Sequence, residues 1–437
     1  MQADPVWDEM SEDEVLDFAG ACAETAQRAE VDLLHAAYQW AVMHCAQRLD
    51  PLEAAKPGRE NARRLGGAGV SEVSEFAAAE LGARIGRSPY AAARLIADAQ
   101  DLHHRHPRLW ERVQAGEVRA SYARHVVTRT RDLSVEQAAY VDAAVVESAD
   151  GRITWSRFEA LVEGKVAQAA PEVAREKEER AAKARFAKKL RGEAHGMASF
   201  MIRADLATIE AIDAAVSAKA TRIAQAQPDA PHRQTDDERR VYAVLLLATG
   251  AEPAADPADL VPDVHLVVHV YHGPDREGIA RIEGHGPVTE EWVREVLGPR
   301  ARFRIRPVLD LAGQAPVDGY EIPERHRQAV HLMTPADTFP FASCTSTSMQ
   351  VDHTIAHDDG GATGVGNYGP MTTFHHRIKT HGRWQVQQPF PGIYVWRDPH
   401  GALFLVDHTG TRRIPTRFTE PVAVELWYSP IEIEYAA

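Results

Sequence analysis

Hydrophobic spacing divides the chain into a long helical stretch and a shorter β-rich end. Over residues 31–47, Leu33, Leu34, Ala37, Trp40, Ala41 and Cys45 recur at helical intervals and predict a core helix, preceded by an acidic, amphipathic stretch. Pro57-Gly58 and Gly66–Gly69 mark a loop, and a second helix is predicted over residues 73–85. Gly86-Arg87-Ser88 reads as a turn, with Ser88 and Pro89 starting a third helix over residues 89–103. Helices continue to about residue 189. A short strand over 197–203 and helices over 206–224 and 236–247 follow, the last capped by Asp236.

The pattern then changes. Residues 251–259 have the composition of a linker, residues 264–271 read as a buried strand, and residues 288–297 as a short helix. Residues 302–311 and 319–331 are mixed. A short apolar-polar run ending in Asp352-His353 leads into a Gly-rich loop and then a helix-compatible segment over 371–380. The tail, with Trp384 and the apolar runs 393–397 and 403–407 around a turn at 398–401, predicts a β-hairpin.

Composition narrows the class. The chain of 437 residues is 44% hydrophobic and 26% charged, as expected of a soluble protein with two or three domains. A net charge of −14 excludes nucleic-acid binding over the whole surface, so any DNA contact is local. Cys22, Cys45 and Cys344 form no Cys-x-x-Cys pair, which indicates neither a disulfide framework nor a cysteine zinc site. Cys22 and Cys45 read as small buried hydrophobes. No basic leader or apolar stretch of about 20 residues is evident, and a cytoplasmic location without membrane contact is expected.

Charge is unevenly placed. Residues 84–131 hold ten arginines against four acids, on two helices whose tight turn is somewhat like a helix-turn-helix. Phosphate contact and plain solvated helix faces both fit that patch, and sequence-specific reading is disfavoured because helix pairs are generic. Residues 175–191 carry eight bases and three acids and read as a long solvated helix, for which a plain exposed face is favoured over contact with nucleic acid. His265 and His269 share one strand face, where satisfied sheet histidines are favoured over a metal site for want of a third nearby ligand.

Seven of the 21 histidines fall within residues 353–408. Aspartate and neutral histidine are ordinary ligands of a divalent metal, and a further histidine beside it is a natural general base. Asp352 and His353 point to opposite strand faces unless the strand ends or breaks there. Gly360, Gly361, Gly364 and Gly366 supply positive φ for a fold-back, and Asn367 is either a loop clamp or an ordinary turn residue. His376 and Lys379 share a helix face, whereas His375 points about 100° away and reads as packing. His357 and His381 read as accessory or surface residues.

Asp352-His353, Gly360-Gly361, Asn367 and His375-His376-Arg377-x-Lys379-Thr380 together resemble the HNH nuclease motif. The flanks resemble a bacterial set of HNH endonuclease-family proteins in which a helical domain of unknown function, of the 222 type, precedes the nuclease unit. The resemblance spans roughly residues 77–414. It implies an α+β chain: a helical domain over 1–250 with potential DNA contact, a mixed region over 251–335, a small ββα-metal (His-Me finger) nuclease domain with a C-terminal hairpin over 336–417, and a tail over 418–437. It implies a DNA phosphodiester endonuclease in which Asp352 and His376 bind one divalent metal, Mg2+ or Mn2+ ahead of Zn2+ or Ni2+. His353 would activate water, Asn367 would tie the loop and orient His353, and Lys379 and Arg377 would contact phosphate. Many relatives bind a structural zinc through two cysteine pairs. Here only Cys344 lies upstream and Thr372 stands where Cys is common, so no structural zinc is expected and Phe339, Phe341, Phe374 and Trp384 are expected to stabilise the unit instead. The alternatives are a catalytically inactive DNA-binding or regulatory protein using the basic helical patch and, more remotely, a metal-binding structural protein.

Overall fold

The computed structural model describes residues 7, 10–190, 197–226, 235–251, 268–270, 278–282, 286–297 and 314–414. It is α+β, with helices over most of the N-terminal region and small antiparallel sheets, the largest of them four-stranded at the C-terminal end. Two compact units emerge: Met1–Pro171 with Pro307–Ala437, and Glu172–Arg306. The helical stretch expected over 1–250 is thus shared between the units, and residues 336–414 pack with the first part of the chain. Among the described residues, no helix is long and apolar enough to cross a membrane.

In the first unit, a capping box of Ser11 and Glu14 starts the helix Glu12–Met43 well ahead of the expected residue 31. Only its second half is buried, through Val31, Leu34, Ala37 and Ala41. The helix expected from residue 73 begins at Ala77, because Val73–Ser74 pairs with Ala62–Arg63 as a short strand. The helix Ala77–Arg84 is buried on almost every side, which its run of Ala and Gly permits. A Cβ on Gly82 would meet the Arg87 carbonyl at 2.7 Å, so the following chain lies directly against its backbone. Ser88 caps the helix Pro89–Arg105 by accepting from the Ala91 N–H.

The arginine-rich segment, for which phosphate contact and plain solvated faces both fitted the sequence, is largely occupied internally. Arg105 is fully buried, paired with Asp101 at 3.3 Å and donating to the Thr130 and Leu133 carbonyls. Arg124 and Arg131 pair with Asp98, and Arg131 also with Asp101. Arg84 reaches Asp398, Arg112 reaches Glu117, and Arg129 reaches Glu163. Six of the ten arginines therefore already face a carboxylate.

At the C-terminal end, Gln350–His353 pairs antiparallel with Tyr368–Met371, and the helix Thr373–His381 follows. The expected tail hairpin is a four-stranded meander: Gln385–Phe390, Ile393–Arg397, Leu403–Asp407 and Gly410–Ile414. Period-two burial places Tyr394, Trp396, Phe404 and Val406 on its inner face. There they join Phe339, Ile378 and Trp384 of the preceding segment and Phe76, Ala79 and Ala83 of the helical part in one core. Of the aromatics expected to stabilise this region, Phe339 and Trp384 are fully part of that core, and Phe341 and Phe374 flank it. Each such side chain contributes about 1.5–3 kcal/mol by leaving water.

In the second unit, the helix Pro171–Lys183 has no buried residue. The helix expected over 175–191 ends there, because Phe186–Lys189 pairs with Phe200–Arg203 as a two-stranded ribbon. Helices Leu206–Ala226 and Asp236–Thr249 pack through Val216, Ala220, Ile223, Ala243 and Leu246. A three-stranded sheet of Val268–Val270, Ile279–Ile282 and Gly286–Thr289 completes the unit, so the helix expected from residue 288 begins only at Glu290. Most of the linker at 251–259, the strand ends at 264–267 and 271, His265, the segment 302–311 and the tail 418–437 lie outside the described residues, as does the side chain of His269.

Candidate metal centre

The strand Gln350–His353, the loop after it and the helix Thr373–His381 build the site. Alternation along the strand separates its side chains, with Val351 and His353 buried and Gln350 exposed. Asp352 faces the helix. There its Oδ2 lies 3.3 Å from His376 Nε2 and 2.5 Å from Lys379 Nζ. The i, i+3 spacing puts both His376 and Lys379 over the same carboxylate. Lys379 also donates to the His353 carbonyl.

Gln350, two residues before Asp352 on the same strand face, completes this group. His376 Nδ1–H donates to Gln350 Oε1 at 2.9 Å. That bond fixes the tautomer whose Nε2 lone pair is turned to Asp352, the arrangement a metal-ligating histidine needs. Adjacent donors about 2.1 Å from an octahedral ion stand about 3.0 Å apart, so the Asp352–His376 separation suits one edge of such a shell. Among the described residues, no group of three or more His, Cys, Asp or Glu side chains converges to hold a metal. Two protein donors with water and substrate oxygens elsewhere is the usual complement for Mg2+. One carboxylate and one imidazole therefore fit a hard or borderline divalent ion.

His353 occupies the other face of the strand. Its Nε2 lies 3.0 Å from Thr363 Oγ1, and its ring stacks on Tyr320 and meets Tyr368 edge-on. Burial lowers its pKa below the ordinary histidine value, opposed by the Asp352 carboxylate and assisted by His357 and Lys379. His357 stands 6.1 Å from it, ring to ring. The same burial pushes the Tyr368 hydroxyl up to about 12.

Asn367 is a loop clamp. Its Nδ2 donates to the Ile355 and Ala362 carbonyls, its Oδ1 accepts the Ile355 N–H, and its own carbonyl accepts the Thr354 N–H. The chain leaving His353 is thereby fastened across the loop, although Asn367 has no direct bond to the His353 ring among the described contacts. Only Gly360 of the four loop glycines adopts positive φ, at +86°. Gly361 serves by close approach instead, since a Cβ there would lie 2.0 Å from the Ile355 carbonyl oxygen.

Arg377, assigned to phosphate by the motif resemblance, is placed elsewhere. Its guanidinium binds Glu75 and the carbonyls of Gly58 and Arg59, which ties the helix to the N-terminal segment. His375 points away from His376 as its helical position requires. It is buried, its Nδ1–H donates to Asp337 Oδ2 at 2.7 Å, and its ring stacks on Phe339 at 4.5 Å. The same Asp337 carboxylate accepts the N–H groups of Thr372 and Phe339, so it joins the upstream loop to the start of the motif helix. His381 packs beside Gly58, and burial lowers its pKa, aided by Arg59, Arg377 and His376.

A model of the family described as "Domain of unknown function (DUF222)" matches residues 25–331. The chain belongs to this family. No curated protein and no solved structure matches it. In this DUF222 protein the centre of Gln350, Asp352, His376 and Lys379 lies beyond the matched segment, although Ile378 of its helix shares a core with the segment's helix Ala77–Arg84. Sequence reasoning missed Gln350, Thr363 and Asp337. Gln350 was accessible by period two from Asp352. The other two partners depend on long-range pairing that spacing does not encode.

Proposed function

We propose that this protein is a metal-dependent HNH-type endonuclease that hydrolyses DNA phosphodiester bonds. The observation that carries the reading is the 3.3 Å approach of Asp352 Oδ2 to His376 Nε2, with the histidine tautomer fixed by Gln350 on a strand-loop-strand-helix unit. Asp352 and His376 would hold the ion. When bound, a divalent cation, Mg2+ or Mn2+ for this donor set, supplies charge neutralisation to the scissile phosphate and the departing 3′ oxygen.

The remaining steps belong to side chains. His353 takes a proton from the attacking water. That role requires its Nε2–H to donate to Thr363, leaving the Nδ1 lone pair as the acceptor. Asn367 holds the chain just past His353 and so steadies the base. Lys379 now neutralises Asp352, and once a cation replaces it there, its ammonium is available to a phosphate oxygen. The products are a 5′ phosphate and a 3′ hydroxyl. Arg377 has no part in this account, because Glu75 and two carbonyls already engage it.

The test is nicking of supercoiled plasmid by the full chain in Mg2+ or Mn2+. The parent should convert supercoiled to open-circle DNA, while Asp352→Asn, His376→Ala and His353→Ala should lose at least about a hundredfold in rate, the scale of general-base loss. Cleavage that persists in His353→Ala, or its absence from the parent with every metal, defeats the reading.

A further inference from the structure

We propose that the two-stranded ribbon Phe186–Lys189/Phe200–Arg203, together with the end of the helix before it, is a docking surface for a strand of DNA. The ribbon pairs antiparallel, Phe186 opposite Arg203, Lys188 opposite Met201 and Lys189 opposite Phe200. Both of its faces are open. Phe200, Met201 and Ile202 are 62%, 46% and 39% exposed, and Phe186 is the one described ribbon residue that is half-buried. A two-stranded ribbon in water is marginal by itself, and solvent-facing aromatic and aliphatic side chains on both strands leave it in want of a partner.

Charge says what kind of partner. In a chain of net charge −14, residues 180–190 hold five cations (Arg180, Lys183, Arg185, Lys188, Lys189) and no acid. Arg203 adds a sixth from the opposite strand. Of these, Arg180 pairs with Glu176 at 3.8 Å and Arg185 with Asp205 at 3.5 Å. Lys183, Lys188, Lys189 and Arg203 make no ion pair with a described residue. The ligand is therefore a polyanion. Period-two geometry refines it further. Phe186, Lys188, Met201 and Arg203 share one face, and Lys189 and Phe200 stand opposite each other on the other. Lys188 Nζ lies 4.6 Å from the centre of the Phe186 ring. On the other face the exposed Phe200 offers a ring on which an unstacked base can lie, with the Lys189 ammonium directly across from it for a phosphate. A neutral protein partner would explain the exposed apolar groups but not the uncompensated cations between them. The choice of DNA over RNA rests on the nuclease reading.

The test separates the two proposals by measuring binding without cleavage. Fluorescence anisotropy of a labelled 20-nucleotide single strand, its duplex and the matching RNA is followed with the full chain in EDTA at several salt concentrations. The parent should bind the single-stranded DNA more tightly than the duplex. The double substitution Lys188→Ala with Lys189→Ala should weaken binding and flatten the slope of log K against log salt by about 1.4, roughly 0.7 per lost phosphate contact. Phe200→Ala should weaken single-strand binding about tenfold or more, the scale of one lost base stack, with little change for duplex. A parent chain that binds here but nicks no plasmid in Mg2+ or Mn2+ sinks the nuclease reading and leaves the ribbon as a single-strand binding surface. Unchanged far-ultraviolet circular dichroism shows that the exposed substitutions have not unfolded the chain. The proposal is overturned if the ribbon variants bind single-stranded DNA as tightly as the parent. It is equally overturned if the RNA alone is bound, or if the variants change only the sedimentation mass of the protein.

Discussion

Replacing Asp337 by alanine should cost the C-terminal part of this protein a large share of its stability. The carboxylate is buried and accepts three hydrogen bonds: from Phe339 N–H at 2.9 Å, Thr372 N–H at 2.8 Å and His375 Nδ1–H at 2.7 Å. Hydrogen bonds to a charged group contribute about 1.5–3 kcal/mol each, so independent bonds would sum to about 4.5–9 kcal/mol. They are not independent, and water can reach the half-buried Thr372 amide. A loss of about 3–5 kcal/mol, the usual scale for stripping one partner from a buried charged network, is expected. For a unit of this size that corresponds to a fall in Tm on the order of 10 °C. Urea unfolding followed by tryptophan fluorescence suits the measurement, because Trp384 and Trp396 both lie against Phe339. Asp337→Asn keeps an acceptor and should lose about 1–2 kcal/mol, and the exposed Asp358→Ala should change stability by no more than about 0.5 kcal/mol. A loss below about 1 kcal/mol for Asp337→Ala would refute the claim that this carboxylate clamps the upstream loop to the motif helix.

Three further outcomes follow from the same geometry. Gln350→Leu removes the acceptor that fixes the His376 tautomer and should weaken Mn2+ binding about 10–100-fold with little change in urea stability, which a titration of both variants checks. Lys379→Met removes the ammonium that competes for Asp352, so Mn2+ should bind more tightly while plasmid nicking slows; weaker metal binding would contradict the assigned role. His106 is fully buried between the Asp101 carbonyl and Thr130, and burial drives its pKa down to about 4. With an unfolded value of about 6.5, the stability it confers is complete above pH 6.5 and is lost as pH falls toward 4, by at most about 3 kcal/mol. Comparing urea midpoints of parent and His106→Gln at pH 7.5 and 4.5 should show a smaller acid loss in the variant.

Local pattern carried much of this molecule. Ser88-Pro89 marked a real helix start, and period three on the motif helix paired His376 with Lys379 while turning His375 inward. What spacing could not show was which residues meet across long separations. Arg377 looked free in sequence because Glu75, its partner, lies 302 residues away. The arginine-rich segment looked exposed because Asp98 and Asp101 come into play only after the helices pack. The ribbon was hidden for a related reason. Phe186–Lys189 continues a helical charge pattern and becomes a strand only through pairing with Phe200–Arg203. The tail read as a hairpin because its fourth strand, Gly410–Ile414, has too few apolar residues to announce itself.

The central claim is that Asp352 and His376 jointly hold a divalent cation. Titrating the metal-stripped full chain with Mn2+, and following free Mn2+ by electron paramagnetic resonance, tests it most directly. The account predicts one site per chain, abolished by Asp352→Asn and by His376→Ala and retained in His353→Ala. Binding that survives both of the first two substitutions would contradict it.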